Sequence, residues 1–144
     1  MLRFFPITFG ILAGVLAVTQ DEMQSLHAYM LDVGNKCMAE FGVTMDDIKE
    51  AKKTKKFDAI DQCFIACSLK ENNIIDTKGM FDKDAGYAIA EKFFSNSDDL
   101  KEVKKVGEIC SAVNKEKVSD GDKGCERATL LMQCLLKNVE TVKR

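Results

Sequence analysis

The sequence lacks the residues that most often interrupt helices and several motifs that carry catalysis. Its one proline is Pro6, its one histidine is His27, and it contains no tryptophan. Beyond Pro6, therefore, no proline stops a helix. The sequence also has no Gly-x-Ser-x-Gly motif, no Cys-x-x-Cys motif and no Asn-x-Ser/Thr sequon. These absences argue against a hydrolase with a nucleophile elbow, a thioredoxin-like redox protein and an N-glycosylated protein.

The chain also lacks a strong excess of charge of either sign. It has 144 residues, of which 46% are hydrophobic and 31% charged, and its formal net charge is −2. Proteins that bind nucleic acids carry a basic face, and helices that lie on anionic membranes are rich in Lys and Arg. We therefore predict no nucleic-acid partner and no stable membrane insertion. The composition is typical of one globular domain with a hydrophobic core.

The amino-terminal residues have the features of a secretory signal peptide. Arg3 precedes an apolar run at 9–18, and Val-Leu-Ala at 15–17 offers small residues for cleavage. The apolar run is shorter than the roughly 20 residues that a membrane-spanning helix needs. We therefore predict a signal peptide at 1–17 and a single secreted, extracellular domain at 18–144.

Apolar residues recur at helical spacing through nearly all of this predicted domain. Leu26, Met30, Val33 and Cys37 follow an i, i+4, i+7, i+11 pattern. The last predicted helix is apolar nearly all round, which is typical of a helix buried centrally. No segment has the alternation of a strand, so the sequence predicts an all-α fold of about six short helices. The second helix is predicted to start at Thr44-Met45-Asp46-Asp47, which has the pattern of an N-cap with an acid in the first turn, and to end at about Lys52. The remaining helices lie around CFIAC at 63–67, at about 84–94, at about 100–113 and at about 123–139.

Six cysteines, an even number in a chain predicted to be secreted, favour three disulfides. Cys63 and Cys67 are one helical turn apart, where Cβ atoms are about 5–6 Å from each other. A disulfide needs a Cβ separation of about 3.8 Å, so these two are not expected to bond to each other. Cys125 and Cys134 leave the last helix on opposite sides and are not expected to pair either. Counting and geometry leave the remaining pairings open.

A metal site and an enzyme are both weaker interpretations of these residues. Zinc needs four ligands, and the sequence has no second close cysteine pair to join Cys63 and Cys67, while His27 is distant. His27 also has no neighbouring cysteine, unlike the histidine of secreted phospholipases. We therefore predict no metal, no cofactor and no enzymatic activity. His27 is either a partly exposed residue of the first helix or a sensor of pH.

The complete cysteine spacing, C-x25-C-x3-C-x42-C-x14-C-x8-C, resembles that of the six-cysteine insect odorant-binding proteins, which bind pheromones and general odorants. The resemblance covers the whole predicted domain. It implies three interlocked disulfides, Cys37–Cys67, Cys63–Cys125 and Cys110–Cys134, which hold the helices around an apolar cavity.

The resemblance further implies a carrier that binds small hydrophobic molecules in this cavity and transports them through aqueous fluid to receptors. An olfactory receptor is then a partner, and a homodimer is compatible with the family. Tyr87 is a candidate to donate one hydrogen bond within the site. The alternative is a secreted helical signalling or lipid-interacting protein without a ligand cavity. The candidate lining residues are Leu26, Met30, Val33, Leu69, Ile74, Phe81, Tyr87, Ile89, Phe93, Val106, Ala128, Met132 and Leu135.

Overall fold

Six α-helices follow one another along residues 19–142, the part of the chain that the computed structural model describes, with side chains described up to residue 138. Over this range no strand forms apart from an isolated bridge between Ile75 and Phe81, so the prediction of an all-α fold is confirmed. The predicted signal peptide lies outside the described residues. The helices are α1 (Gln20–Phe41), α2 (Met45–Thr54), α3 (Gln62–Lys70), α4 (Lys83–Phe93), α5 (Ser97–Cys110) and α6 (Cys125–Val142), with 3-10 turns at Phe57–Ala59, Ser111–Lys115 and Gly121–Lys123.

Side-chain caps divide this proline-free segment into separate helices. Each of α1 to α5 begins after a residue whose side chain accepts a hydrogen bond from a first-turn N–H, which satisfies a backbone donor that the helix leaves unpaired. The predicted start of α2 at Thr44 is confirmed, with a capping box that Asp47 completes. The caps are Thr19, Thr44, Asp61, Asp82 and Asn96.

The ends of the last two helices differ from the prediction. α5 ends at Cys110 rather than near Val113, because the chain continues there as a 3-10 turn. α6 starts at Cys125, two residues later than predicted. One carboxylate oxygen of Asp120 accepts from the Cys125 N–H at 2.7 Å and from the Glu126 N–H at 3.1 Å, and this capping fixes the start of the helix.

The last helix lies at the centre of the molecule, as its sequence predicts. Ala128 and Leu131 of α6 have no exposed surface, and the helix packs against both α3 and α5. Full burial of a leucine side chain such as that of Leu131 stabilises the fold by about 1.5–3 kcal/mol. α6 is therefore the element around which the others are arranged.

The three disulfides have the pairing that the resemblance implies. Cys37–Cys67 joins α1 to α3, Cys63–Cys125 joins α3 to the start of α6, and Cys110–Cys134 joins α5 to α6. The two cysteines of CFIAC therefore bond to different helices. α3 and α6 each carry two crosslinks, and α3 is tied to both the first and the last helix.

One charged side chain of α6, Arg127, is buried and organises the connections. Its Nε donates to the carbonyl of Gly79 at 3.0 Å, and its Nη1 donates to the carbonyls of Val113 and Glu116. These bonds hold the α3–α4 connection and the segment after α5 against α6. Gly79 has a φ of +76°, and a Cβ there would lie 2.5 Å from the carbonyl oxygen of Gly121, so a side chain is excluded at this position.

Acidic side chains lie where the amino end of α1 approaches the start of α5. Glu22 accepts a hydrogen bond of 2.6 Å from the Ser95 hydroxyl. This bond is the main cause that lowers the pKa of Glu22. Burial raises the pKa of Asp99, and the charges of Glu22 and Asp98 raise it further. Within the described residues, Asp99 Oδ2 is buried and has no hydrogen-bond partner.

We expect Asp99→Asn to stabilise the protein at neutral pH and not in acid. A raised pKa in the folded state means that ionisation of Asp99 opposes folding. The penalty is absent below the ordinary aspartate pKa, grows as the pH rises toward the raised value, and is complete above it. Because the side chain is partly solvated, we expect a gain of about 0.5 kcal/mol.

Thermal unfolding at neutral and acidic pH measures this effect. The matched control is Asp46→Asn, the same change at an exposed position in the first turn of α2. A gain from Asp99→Asn that is equal at both pH values would show that ionisation of Asp99 is not its cause.

Candidate functional site

A cavity of ≈ 290 Å³ lies between α1, α2 and α3, with one contribution from α6. Its floor is buried and apolar, and consists of Gly34, Ile60, Phe64, Ile65 and Leu69. Its exposed rim carries Met23, His27, Met30 and Lys52. The remaining lining residues are Leu26, Leu31, Met38, Ile48, Phe57, Ser68 and Met132. An apolar concavity with few polar groups is the usual form of a small-molecule site.

Helical spacing produces this lining from two short sequence patterns. On α1, the lining positions from Met23 to Met38 recur every three or four residues, so they form one stripe along the helix. On α3, Phe64, Ile65, Ser68 and Leu69 form a second stripe that faces the first. The Cys37–Cys67 disulfide joins the two helices beside the cavity and fixes their separation.

Gly34 leaves open space at the centre of the α1 stripe. It is buried, yet a Cβ built on it has no heavy atom within 4 Å. Since Gly34 lines the cavity, this open space is the cavity itself. The missing side chain is therefore part of what makes room for a ligand.

Three polar side chains join the otherwise apolar lining. Nζ of Lys52 lies 3.4 Å from Nδ1 of His27. An ammonium group only donates, so Nδ1 of His27 is the acceptor in this contact. The Ser68 hydroxyl donates to the carbonyl of Phe64 at 3.1 Å, which leaves its oxygen available as an acceptor. The cavity thus offers donors at the rim and one acceptor on α3.

A tyrosine of α1 links this helix to two of its neighbours. The Tyr29 hydroxyl donates to Oδ1 of Asn72 at 2.5 Å, and Nδ2 of Asn72 donates to the carbonyl of Ser68 at 3.2 Å. The rings of Tyr29 and Phe93 have their centroids 5.1 Å apart. α1 is therefore linked to the end of α3 and to α4.

Four of the residues predicted to contact a ligand line this cavity: Leu26, Met30, Leu69 and Met132. The other nine do not line it, and their role as ligand contacts stays a prediction. Phe81, Val106 and Ala128 lie in the buried core, and Ile74 and Leu135 pack against it. Ile89 is buried on α4, Val33 and Tyr87 are half-buried, and Phe93 lies against Tyr29.

Several of the lining residues were not predicted from the sequence. Met23, Gly34 and Met38 continue the helical spacing of Leu26 and Met30, so periodicity offered a signal for them. Phe64 and Ile65 lie inside CFIAC itself, between the two cysteines. Lys52 belongs to the basic run KKTKK, and because such runs are usually solvated, nothing in the sequence indicates that it lies at a cavity.

The described residues show neither a metal cluster nor a membrane span. Among residues 19–142 no group of three His, Cys, Asp or Glu side chains is arranged to hold a metal ion. Over the same residues, each helix is too short or too polar to cross a membrane.

Comparison with known proteins yields one family. A model of the PBP/GOBP family matches residues 19–138. General odorant-binding protein 28a of Drosophila melanogaster is 29% identical over 130 residues, which cover 89% of this chain and 87% of that protein. The structure of odorant-binding protein dmelOBP28a from Drosophila melanogaster is similar with a TM-score of 0.60 and 27% identity, over 84% of this chain and 97% of that one. The family match contains α1 to α5 and most of α6.

Proposed function

Because the chain belongs to the PBP/GOBP family, we propose that it is a carrier that binds small hydrophobic molecules in the cavity between α1 and α3. The observation that carries this proposal is the buried, apolar floor of a cavity with an exposed rim. The ligands are odorants, pheromones or other apolar semiochemicals. Binding is a partition from water into the cavity, and the protein does no chemistry on its ligand.

The size of the cavity sets the size of the ligand. One water molecule occupies about 30 Å³ in the liquid, so ≈ 290 Å³ holds about ten non-hydrogen atoms. Burying one methylene is worth about 0.8 kcal/mol. Burial of about ten carbons therefore contributes about 8 kcal/mol before the cost of association is subtracted, so we expect dissociation constants in the micromolar range or weaker.

The biological setting of the proposal follows from the family. We propose that the protein is secreted and carries its ligand through aqueous extracellular fluid. It then delivers the ligand to a membrane receptor, such as an olfactory receptor. We propose no catalytic activity. A homodimer remains compatible with this role.

Displacement of a fluorescent N-phenylnaphthylamine probe tests the carrier function with the oxidised protein spanning 18–144. We expect probe uptake at micromolar concentration and its displacement by decanol. Butanol should displace it far less, because six fewer methylenes are buried, at about 0.8 kcal/mol each. Absence of uptake by protein with native helix content would contradict the proposal. The apolar residues would then be a filled core, as in the signalling or lipid-interacting alternative.

A further inference from the structure

We infer that Lys52 and His27 form a head-group site at the cavity rim for an ionised carboxylate, an inference that rests on the proposed carrier function. The favoured ligand class is medium-chain carboxylic acids. The hydrocarbon tail occupies the apolar floor, and the carboxylate stays at the rim.

The geometry places a cation where the cavity meets water. Lys52 comes from α2 and His27 from α1, and both line the cavity and are exposed. Among the described side chains, the ion pairs Lys36–Glu71 and Lys101–Asp98 lie elsewhere. Among these described residues, Lys52 has no carboxylate partner, so its charge is available to a ligand.

The chemistry of the two side chains suits an acceptor head group. An ammonium group has three N–H donors, and Nδ1 of His27 engages one of them at 3.4 Å. Two donors remain for the oxygens of a carboxylate. Because His27 accepts through Nδ1, it orients the ammonium group rather than competing with it for the ligand.

The position also avoids the main cost of binding a charged ligand. Transfer of an ionised carboxylate into an apolar interior is strongly unfavourable without a partner. At this rim the carboxylate keeps contact with water while its tail reaches Phe64, Ile65 and Leu69 of α3. Exposed ion pairs are weak, and hydrogen bonds to charged groups are somewhat stronger, so we expect about a three- to tenfold preference for the acid.

The test compares decanoate with decanol, which have the same chain length, by probe displacement at neutral pH. The wild type should bind decanoate more tightly than decanol, which has a tail of the same length. Lys52→Met should lower the decanoate-to-decanol affinity ratio by about three- to tenfold. Methionine keeps an unbranched apolar stem and removes the charge. Lys53→Met is the matched control on the same helix, since Lys53 is exposed and does not line the cavity.

Two further measurements complete the test. Lys52→Arg should retain most of the ratio, and raising the salt concentration should lower it in the wild type but not in Lys52→Met, because salt screens exposed charges. A ratio unchanged by Lys52→Met, or lowered equally by Lys53→Met, would overturn the head-group site while the carrier function stands. Failure of the wild type to bind either ligand would overturn the carrier function itself, and the head-group site with it.

Discussion

Replacing Gly34 by phenylalanine is expected to abolish the binding of apolar ligands while the protein remains folded. Gly34 is buried on α1, and a Cβ at this position meets no heavy atom within 4 Å. The seven side-chain carbons of phenylalanine would occupy much of a cavity of ≈ 290 Å³. Too little space is left for a ligand of about ten carbons.

The substitution should not destabilise the fold. Glycine in a helix interior costs about 0.5–1 kcal/mol relative to alanine, so any side chain that fits gains helix stability. Overpacking normally costs about 1–3 kcal/mol in a filled core, but here the new ring enters open space. We therefore expect at least a hundredfold loss of affinity for the probe and for decanol, with a melting temperature equal to or above that of the wild type.

Two controls separate occlusion of the cavity from other effects. Gly34→Ala adds a single carbon, so it should raise stability and leave most of the binding intact. Asn35→Phe places the same ring on the exposed side of the same helix and should leave binding unchanged. Full binding by Gly34→Phe would show that the ligand lies elsewhere. The untested candidates near α4 to α6, such as Ile89, Val106 and Leu135, would then be examined first.

The helices and their order were predictable because each one is encoded locally. Thr44 begins α2 through its own side chain, and Asp82 begins α4 in the same way. The central place of α6 also follows from its composition, since a helix that is apolar nearly all round is stable only where other elements cover most of it. The disulfide pairing was not encoded locally. It came from the resemblance, and geometry alone excluded only Cys63–Cys67 and Cys125–Cys134.

The position of the cavity was harder to predict, for a physical reason. Periodicity shows which face of a helix is apolar but not which helix covers it. The stripe of α1 that contains Leu26 and Met30 was predicted to line the site. Of the facing stripe on α3, only Leu69 was predicted. Gly34 contributes by having no side chain, which no hydrophobicity pattern reports. Lys52 reaches the rim only because the fold brings it beside His27 of α1, a tertiary arrangement that the run KKTKK does not indicate.

Removing the Cys63–Cys125 disulfide by the double substitution to alanine is expected to destabilise the protein more than removing either of the other two. Its half-cystines are 62 residues apart, compared with 30 for Cys37–Cys67 and 24 for Cys110–Cys134. A crosslink stabilises by restricting the unfolded chain, and the effect grows with the length of the closed loop. On this relation the loss is about 4 kcal/mol, and about 0.8 kcal/mol more than for Cys110–Cys134.

Such a loss bears directly on the cavity. The Cys63–Cys125 crosslink is also the one that fixes α3, which carries Phe64 and Leu69 of the cavity floor, to the central helix.

Urea unfolding of the three double-alanine variants, each followed with and without decanol, measures both consequences. We expect the order of stability to follow loop length, with the Cys63→Ala/Cys125→Ala variant lowest. In that variant decanol should restore part of the lost stability, since a ligand that binds only the folded state stabilises it by mass action. The Cys63→Ala/Cys125→Ala variant could instead lose no more stability than the Cys110→Ala/Cys134→Ala variant. That result would mean that packing of α3 on α6, rather than the crosslink, holds the cavity floor in place.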